Sequence, residues 1–225
     1  LKDKKLIETV KEKIKNIFLT YFVIFIPMWL IFIINNGLMI NSLNSFGIKP
    51  RNVNFIEIIA VMFSWTLHAN FNHILNNSLG LVGLLFFVSL LENKIFHLLF
   101  LLILTSGFST WLLGSDNSIH IGASGLVFAL FGYVLSASTL GRKWLYFIPV
   151  SLAFFFYGFA YYEGFINGLI LKDGVSLAAH FGGLVSGIFV GIYFQSIIKE
   201  DIYSYRKKLT IKEWLNESIN KLKNK

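Results

Sequence analysis

The sequence predicts an all-α membrane protein, a bundle of six transmembrane helices with a long first outer loop. Three observations lead there. Hydrophobic residues fill 55% of the 225 positions and charged residues only 14%, against roughly 25% charged in an ordinary soluble domain. Too few polar side chains remain to cover a surface in water, and the mean hydropathy is +0.65. The apolar residues fall into six runs, at about 16–34, 72–91, 95–113, 124–140, 144–160 and 177–197. At 1.5 Å per residue each can cross most or all of a hydrocarbon core of roughly 30 Å. Finally, the net charge of +8 is concentrated at the ends, where residues 1–15 and 199–225 hold fourteen of the twenty Lys and Arg. Basic tails beside apolar spans are a topology signal and an attraction to anionic headgroups, so no nucleic-acid partner is expected.

Taken in order, residues 1–15 form a basic segment on the cytoplasmic side, ahead of a membrane domain at 16–197. The chain begins with Leu1 rather than Met, so residues upstream are expected. The first apolar run has no small-residue cleavage site after it and other spans follow, which favours a retained helix over a secretion signal. Residues 35–71 are too long for a simple turn. Their apolar stretch 55–67 reads as a segment lying in, or dipping into, the interface. Lys94, Arg142 and Lys143 sit in the short turns, on the same side of a six-span path as the two tails. The positive-inside rule then puts both termini in the cytoplasm, in a multi-pass protein of the plasma membrane. The outer connections are 35–71, 114–123 and 161–176, the last containing Gly164, Gly168 and Gly174. A gate and a plain flexible connection are equal readings of that loop. In the tail 198–225, Ile211, Trp214, Leu215, Ile219 and Leu222 recur at helical spacing opposite lysines, the pattern of a helix on the membrane surface. The absence of cysteine removes disulfides and thiol-based metal sites.

Polar groups inside hydrocarbon must be paired, face a wet cavity or do chemistry. Three segments break the apolar pattern. In the first, His73 and Asn77 are four apart and share a helical face, while His68 lies five before His73. That spacing suits a shared zinc poorly, and a capped helix start explains Asn and Ser equally well. The second is Gly122-Ala123-Ser124-Gly125 before an apolar helix. There Ser124 is either a helix cap or a hydroxyl at a positive helix end, where backbone N–H groups can stabilise an oxyanion. The third is Ala179-His180 at the start of the last span, either a packing histidine or a functional one. Gly183 and Gly187 make a small-residue face, and Gly125, Ala129, Gly132 and Ser136 make another on the fourth span. If the two faces meet, Ser124 and His180 lie at matching ends of touching helices. No carboxylate lies at that depth in the last five spans, so serine chemistry here would use a dyad.

These residues, in this order and spacing, resemble the rhomboid intramembrane serine proteases. His68, His73 and Asn77 come first, then Gly122-x-Ser124-Gly125, then Ala179-His180 with Gly183 and Gly187. The segment Gly47-Ile48-Lys49-Pro50-Arg51 also looks like one these proteins often carry in the first outer loop. The resemblance covers roughly residues 46–195, but the Trp-Arg pair of some members is absent from that loop. It implies a rhomboid-like bundle in which Ser124 is the nucleophile and His180 the general base, then general acid. His73, Asn77 and the Ser124 backbone N–H would form the oxyanion hole, Phe128 would pack on His180, and Gly122 would permit close approach. The implied substrates are single-pass transmembrane proteins cut near the outer face, with membrane lipids as surroundings and neither metal nor cofactor required. The alternative is a non-catalytic relative that binds membrane helices; such relatives typically lack the Ser or the His. A transporter fits less well, because no span carries a buried acid for ion coupling.

Overall fold

Lysine, glutamate, leucine and methionine are good helix formers, and isoleucine is accommodated at small cost. The first helix, α1 (Lys2–Gly37), therefore runs unbroken from the basic segment into the apolar run, with Pro27 inside it. Its 36 residues reach about 54 Å at 1.5 Å per residue, well beyond a hydrocarbon core of roughly 30 Å. The computed structural model describes residues 2–139, 144–149, 151 and 176–196. Within them follow α2 (Phe55–Phe63), α3 (Phe71–Leu91), α4 (Ile95–Leu113) and α5 (Ser124–Thr139), then α6 (Leu177–Ser196).

Four of these helices, α1, α3, α4 and α6, are long and apolar enough to cross a membrane. Helix α5 has 16 residues, about 24 Å, so its first residue lies below one face of a core of roughly 30 Å if its other end reaches the opposite face. Among the described residues no strand occurs, and the fold is the expected helical membrane bundle. Of the expected span 144–160, residues 144–146 form a 3-10 turn, and 147–149 and 151 are helical. Its remainder, Gly164, Gly168 and Gly174 in the next loop, and the tail 198–225 lie outside the described residues.

Three hydrogen bonds tie α1 to α3 in antiparallel register: Lys13 Nζ to the Glu92 carbonyl (3.3 Å), Tyr21 to the Val82 carbonyl (2.5 Å), and Trp29 Nε1 to Ser78 Oγ (3.1 Å). At the basic end, buried Glu92 accepts a 2.6 Å hydrogen bond from the Tyr146 hydroxyl. Tyr133 of α5 meets Tyr146 and Phe194 edge-on. This joins α3, α5, α6 and the turn at 144–146 under one core.

The first long loop is anchored without a Trp-Arg pair. Arg51 pairs with Asp116 and donates to the carbonyls of Leu112 (3.1 Å) and Gly114 (2.8 Å). Ile48 and His120 exchange backbone hydrogen bonds of 2.9 and 2.8 Å, an isolated antiparallel bridge. Buried Glu57 accepts from the Lys49 N–H (2.9 Å). Helix α2 lies against α4, where a Cβ on Gly107 would stand 2.2 Å from the Val61 carbonyl oxygen. Phe55, Ile58 and Phe63 stay exposed on its other side, as suits a helix at an apolar boundary.

Candidate active site

Two helices bring the second and third polar segments together. A Cβ on Gly183 would fall 2.4 Å from the Gly125 carbonyl oxygen, and one on Gly187 2.0 Å from that of Ala129. From the other side, a Cβ on Gly132 would fall 2.2 Å from the Leu184 carbonyl oxygen. Only missing side chains allow backbones this close. The two small-residue faces read from the sequence are therefore in contact along α5 and α6.

Ser124 is the first residue of α5 and His180 lies in the first turn of α6. Ser176 starts that turn, its hydroxyl accepting from the Ala179 N–H at 3.0 Å, which satisfies one of the open donors of a helix start. Phe128, one turn along α5 from Ser124, stacks on the His180 ring with centroids 4.3 Å apart and planes at 19°. The imidazole is thus held flat against α5. Among the described residues its buried Nδ1 has no hydrogen-bond partner. No hydrogen bond joins the Ser124 hydroxyl to His180 among the described residues; such contacts are commonly loose before substrate binds.

The first polar segment closes the site from α3. Asn70 caps that helix, its side chain accepting from the His73 N–H at 2.9 Å, so His73 and Asn77 themselves are not spent on capping. Gly122 has φ +108°, a backbone conformation that favours glycine. A Cβ there would lie 2.5 Å from His73 Nε2 and 3.3 Å from Asn77 Nδ2. The space in front of Gly122 is therefore lined by two nitrogens from one helical face, next to the start of α5. Ser124, His73 and His180 are half-buried, while Asn77 is buried.

Beneath lies a support that the residue pattern did not reveal. The Gly122 N–H donates to the Ser64 carbonyl (3.1 Å) in the 3-10 turn Ser64–Thr66. Fully buried His68 sits next to that turn, with Nδ1 3.3 Å from the Thr66 carbonyl and Nε2 2.9 Å from Asn77 Nδ2. The Ala123 N–H also reaches His68 Nε2, at 3.4 Å. Burial, with His73 adding to it, lowers the His68 pKa to about 3, so this ring is neutral at ordinary pH. Backbone carbonyls leave no mark in a sequence, which is why the turn was not legible as part of the site. On its far side a cavity of about 20 Å³, lined by Ser64, Ser106, Thr110, His120 and Gly122 among others, has room for about one water. Among the described residues no His, Asp, Glu or Cys group is arranged to hold a metal ion.

A helical membrane bundle with a glycine-bordered polar pocket at the loop end is the class of protein that this fold and site define. A family model described as Rhomboid domain matches residues 52–197, more than half of the chain, and the chain belongs to the rhomboid family. It is similar to uncharacterised proteins of Mycobacterium tuberculosis and Mycobacterium bovis, each 32% identical over 149 residues, which are 63% of this chain and 60% of the relative. An uncharacterised protein of Mycobacterium leprae is 27% identical over 154 residues, 66% of this chain and 60% of its own. The chain thus spans about 60% of the length of these relatives.

Proposed function

We propose that this integral membrane protein is a serine protease that cuts transmembrane segments with a Ser124–His180 dyad. The observation that supports the reading is the α5–α6 seam, where Gly183 lies against Gly125 and His180 stacks on Phe128, with Ser124 and His180 at matching helix ends. His180 takes the Ser124 proton as Oγ bonds to the scissile carbonyl carbon. The carbonyl oxygen becomes an oxyanion in front of Gly122, facing the Ser124 N–H, His73 and Asn77. Collapse breaks the C–N bond, and His180 returns its proton to the leaving amine. Water then loses a proton to His180 as it attacks the acyl-serine. The second collapse releases the new carboxyl end and reprotonates Ser124. Among the described residues no acid meets the His180 ring, and stacking on Phe128 orients it.

The substrates are single-pass membrane proteins, and a short α5 sets Ser124 below the outer face of the plasma membrane, with both termini cytoplasmic. A helical substrate hides its carbonyls, so it must unwind to be cut, and Gly or Pro near the cut lowers that cost.

The test is cleavage of a helix-destabilised transmembrane substrate and labelling by a fluorophosphonate, in detergent, for wild type, Ser124→Ala and His180→Ala. Both signals in wild type, lost in both variants, are the expected result. A folded wild-type protein giving neither signal overturns the reading and favours a non-catalytic binder of membrane helices.

A further inference from the structure

We propose that His68 is a positioning residue: its ring, fixed by Thr66 and Ala123, locks the Asn77 side-chain amide so that an N–H faces the space in front of Gly122. The inference rests on the protease reading for its catalytic consequence, but not for its geometry.

Two backbone groups beside His68 have roles that cannot change. The Thr66 carbonyl only accepts and lies 3.3 Å from His68 Nδ1; the Ala123 N–H only donates and lies 3.4 Å from Nε2. A neutral imidazole has one donor and one acceptor nitrogen. Putting the proton on Nδ1 satisfies both neighbours, whereas putting it on Nε2 opposes acceptor to acceptor and donor to donor in a fully buried place. Nε2 is therefore an acceptor, and the Asn77 group 2.9 Å from it must be the amide nitrogen rather than its oxygen. An Asn amide rotated by 180° would turn Oδ1 toward His68 Nε2 and lose that bond.

That nitrogen carries two hydrogens. One is spent on His68, and the other belongs to an atom 3.3 Å from where a Gly122 side chain would begin. Without the His68 acceptor, nothing in this arrangement distinguishes the two rotations of the amide. One of them presents an N–H to an oxyanion, and the other presents a carbonyl oxygen, which repels it. The His68 ring also meets His73 edge-on at 4.9 Å, so one buried residue braces both side chains that face Gly122. The orientation is thereby inherited from the 3-10 turn Ser64–Thr66 at the end of the first long loop.

The test is a double-mutant cycle on the full chain in detergent. His68→Phe keeps the ring and removes both nitrogens; His68→Gln supplies an amide oxygen as a substitute acceptor. Loss of an oxyanion donor costs about 10²–10³ in kcat, so Asn77→Ala is expected in that range. His68→Phe should lose about tenfold or more in kcat with KM within about twofold, and His68→Gln should regain part of it. In the Asn77→Ala background, His68→Phe should change kcat by less than about twofold. An equal loss in both backgrounds makes His68 a packing residue and overturns the proposal.

A second readout needs no activity. With ¹⁵N-asparagine, the Asn77 side-chain signals (assigned by their loss in Asn77→Ala) should show one N–H protected from solvent exchange, and that protection should vanish in His68→Phe. Two equally fast hydrogens in the folded wild type overturn the proposal, even if His68→Phe does not fold. If wild type neither cleaves nor labels, the protease reading fails while this measurement still decides the role of His68.

Discussion

The seam between α5 and α6 makes a sharp prediction, because two glycines on it should respond differently to the same methyl group. In Gly187→Ala the new Cβ would stand 2.0 Å from the Ala129 carbonyl oxygen, 2.7 Å from its carbon and 2.8 Å from its Cα. All three are backbone atoms, so no rotamer can relieve the clash. Non-bonded heavy atoms rest at roughly 3.5 Å, so the helices must part locally by about 1.5 Å. Overpacking of this kind costs about 1–3 kcal/mol, which for a chain of this size lowers Tm by roughly 2–12 °C. A 1 Å misplacement of reacting groups costs about 10²-fold in rate; a separation two turns from His180 should reach the dyad in part, lowering kcat by about tenfold or more. Gly125→Ala lies on the same seam, yet its Cβ would meet nothing nearer than 3.6 Å, and its Tm should equal that of wild type. Gly83→Ala, with nothing within 4 Å among the described residues, controls for the substitution itself. The assay is thermal unfolding in detergent beside cleavage of a transmembrane substrate. If Gly187→Ala unfolds at the wild-type temperature and cleaves at the wild-type rate, the helices do not touch along this line and the placement of Ser124 beside His180 loses its support.

Two further outcomes follow. Gly122→Ala should fold with a modest loss of stability, about 1–2 kcal/mol for the positive φ, but lose at least about 10² in kcat, since its methyl would occupy the space beside His73 Nε2 that the oxyanion needs; unchanged cleavage would move the oxyanion elsewhere. Stability should also fall on acidification: His68 keeps a pKa of about 3 when folded and regains roughly 6.5 when unfolded. Below about pH 6.5 the unfolded chain therefore binds a proton that the folded chain refuses, and stability is lost down to about pH 3 at up to ~1.4 kcal/mol per pH unit. His120, whose pKa is also lowered by burial, adds in the same direction. Unfolding followed from pH 7.5 to pH 5 should show this slope, and His68→Phe should flatten it by about one proton; an identical slope in both proteins would mean that His68 is not the group responsible.

The spans α1, α3, α4 and α6 were legible because an apolar run in hydrocarbon has few alternatives to helix. The observed starts of α3 at Phe71 and α5 at Ser124 fall where Asn70 and the Gly122–Gly125 segment interrupt the apolar pattern. The contact between α5 and α6 was legible for a similar reason, since Gly125, Ala129 and Gly132 on one helix and Gly183 and Gly187 on the other leave no side chains to keep the backbones apart. What could not be read depends on long-range backbone partners. Ser64 and Thr66 look like ordinary residues at the end of an apolar stretch, yet their carbonyls hold Gly122 and His68. Arg51 is one cation in a loop until the chain returns at 112–116 with two carbonyls and a carboxylate for it. The extent of α1 was hidden by charge: its lysines mark a membrane boundary, but they do not end a helix.

The two halves of the pocket are held by different forces, and this decides how each can fail. On the α3 side, Asn77, His68, Thr66, Ala123, Gly122 and Ser64 are joined by directional hydrogen bonds in a buried setting. In such a place a lost partner leaves its neighbour unsatisfied at a cost of about 1–3 kcal/mol. On the α6 side, the buried His180 Nδ1 has no partner among the described residues, and the ring is held by its stack on Phe128 beside the glycine contacts. Packing tolerates small rotations that a hydrogen bond of fixed geometry does not, and a dyad base must change its bonding twice in each cycle, taking a proton and giving it back. In the proposed mechanism a rigid polar half would receive the oxyanion and a packed half would let the base adjust. Substitutions in the first half should therefore lower kcat as well as stability, whereas substitutions along the glycine seam should appear in stability before they appear in rate.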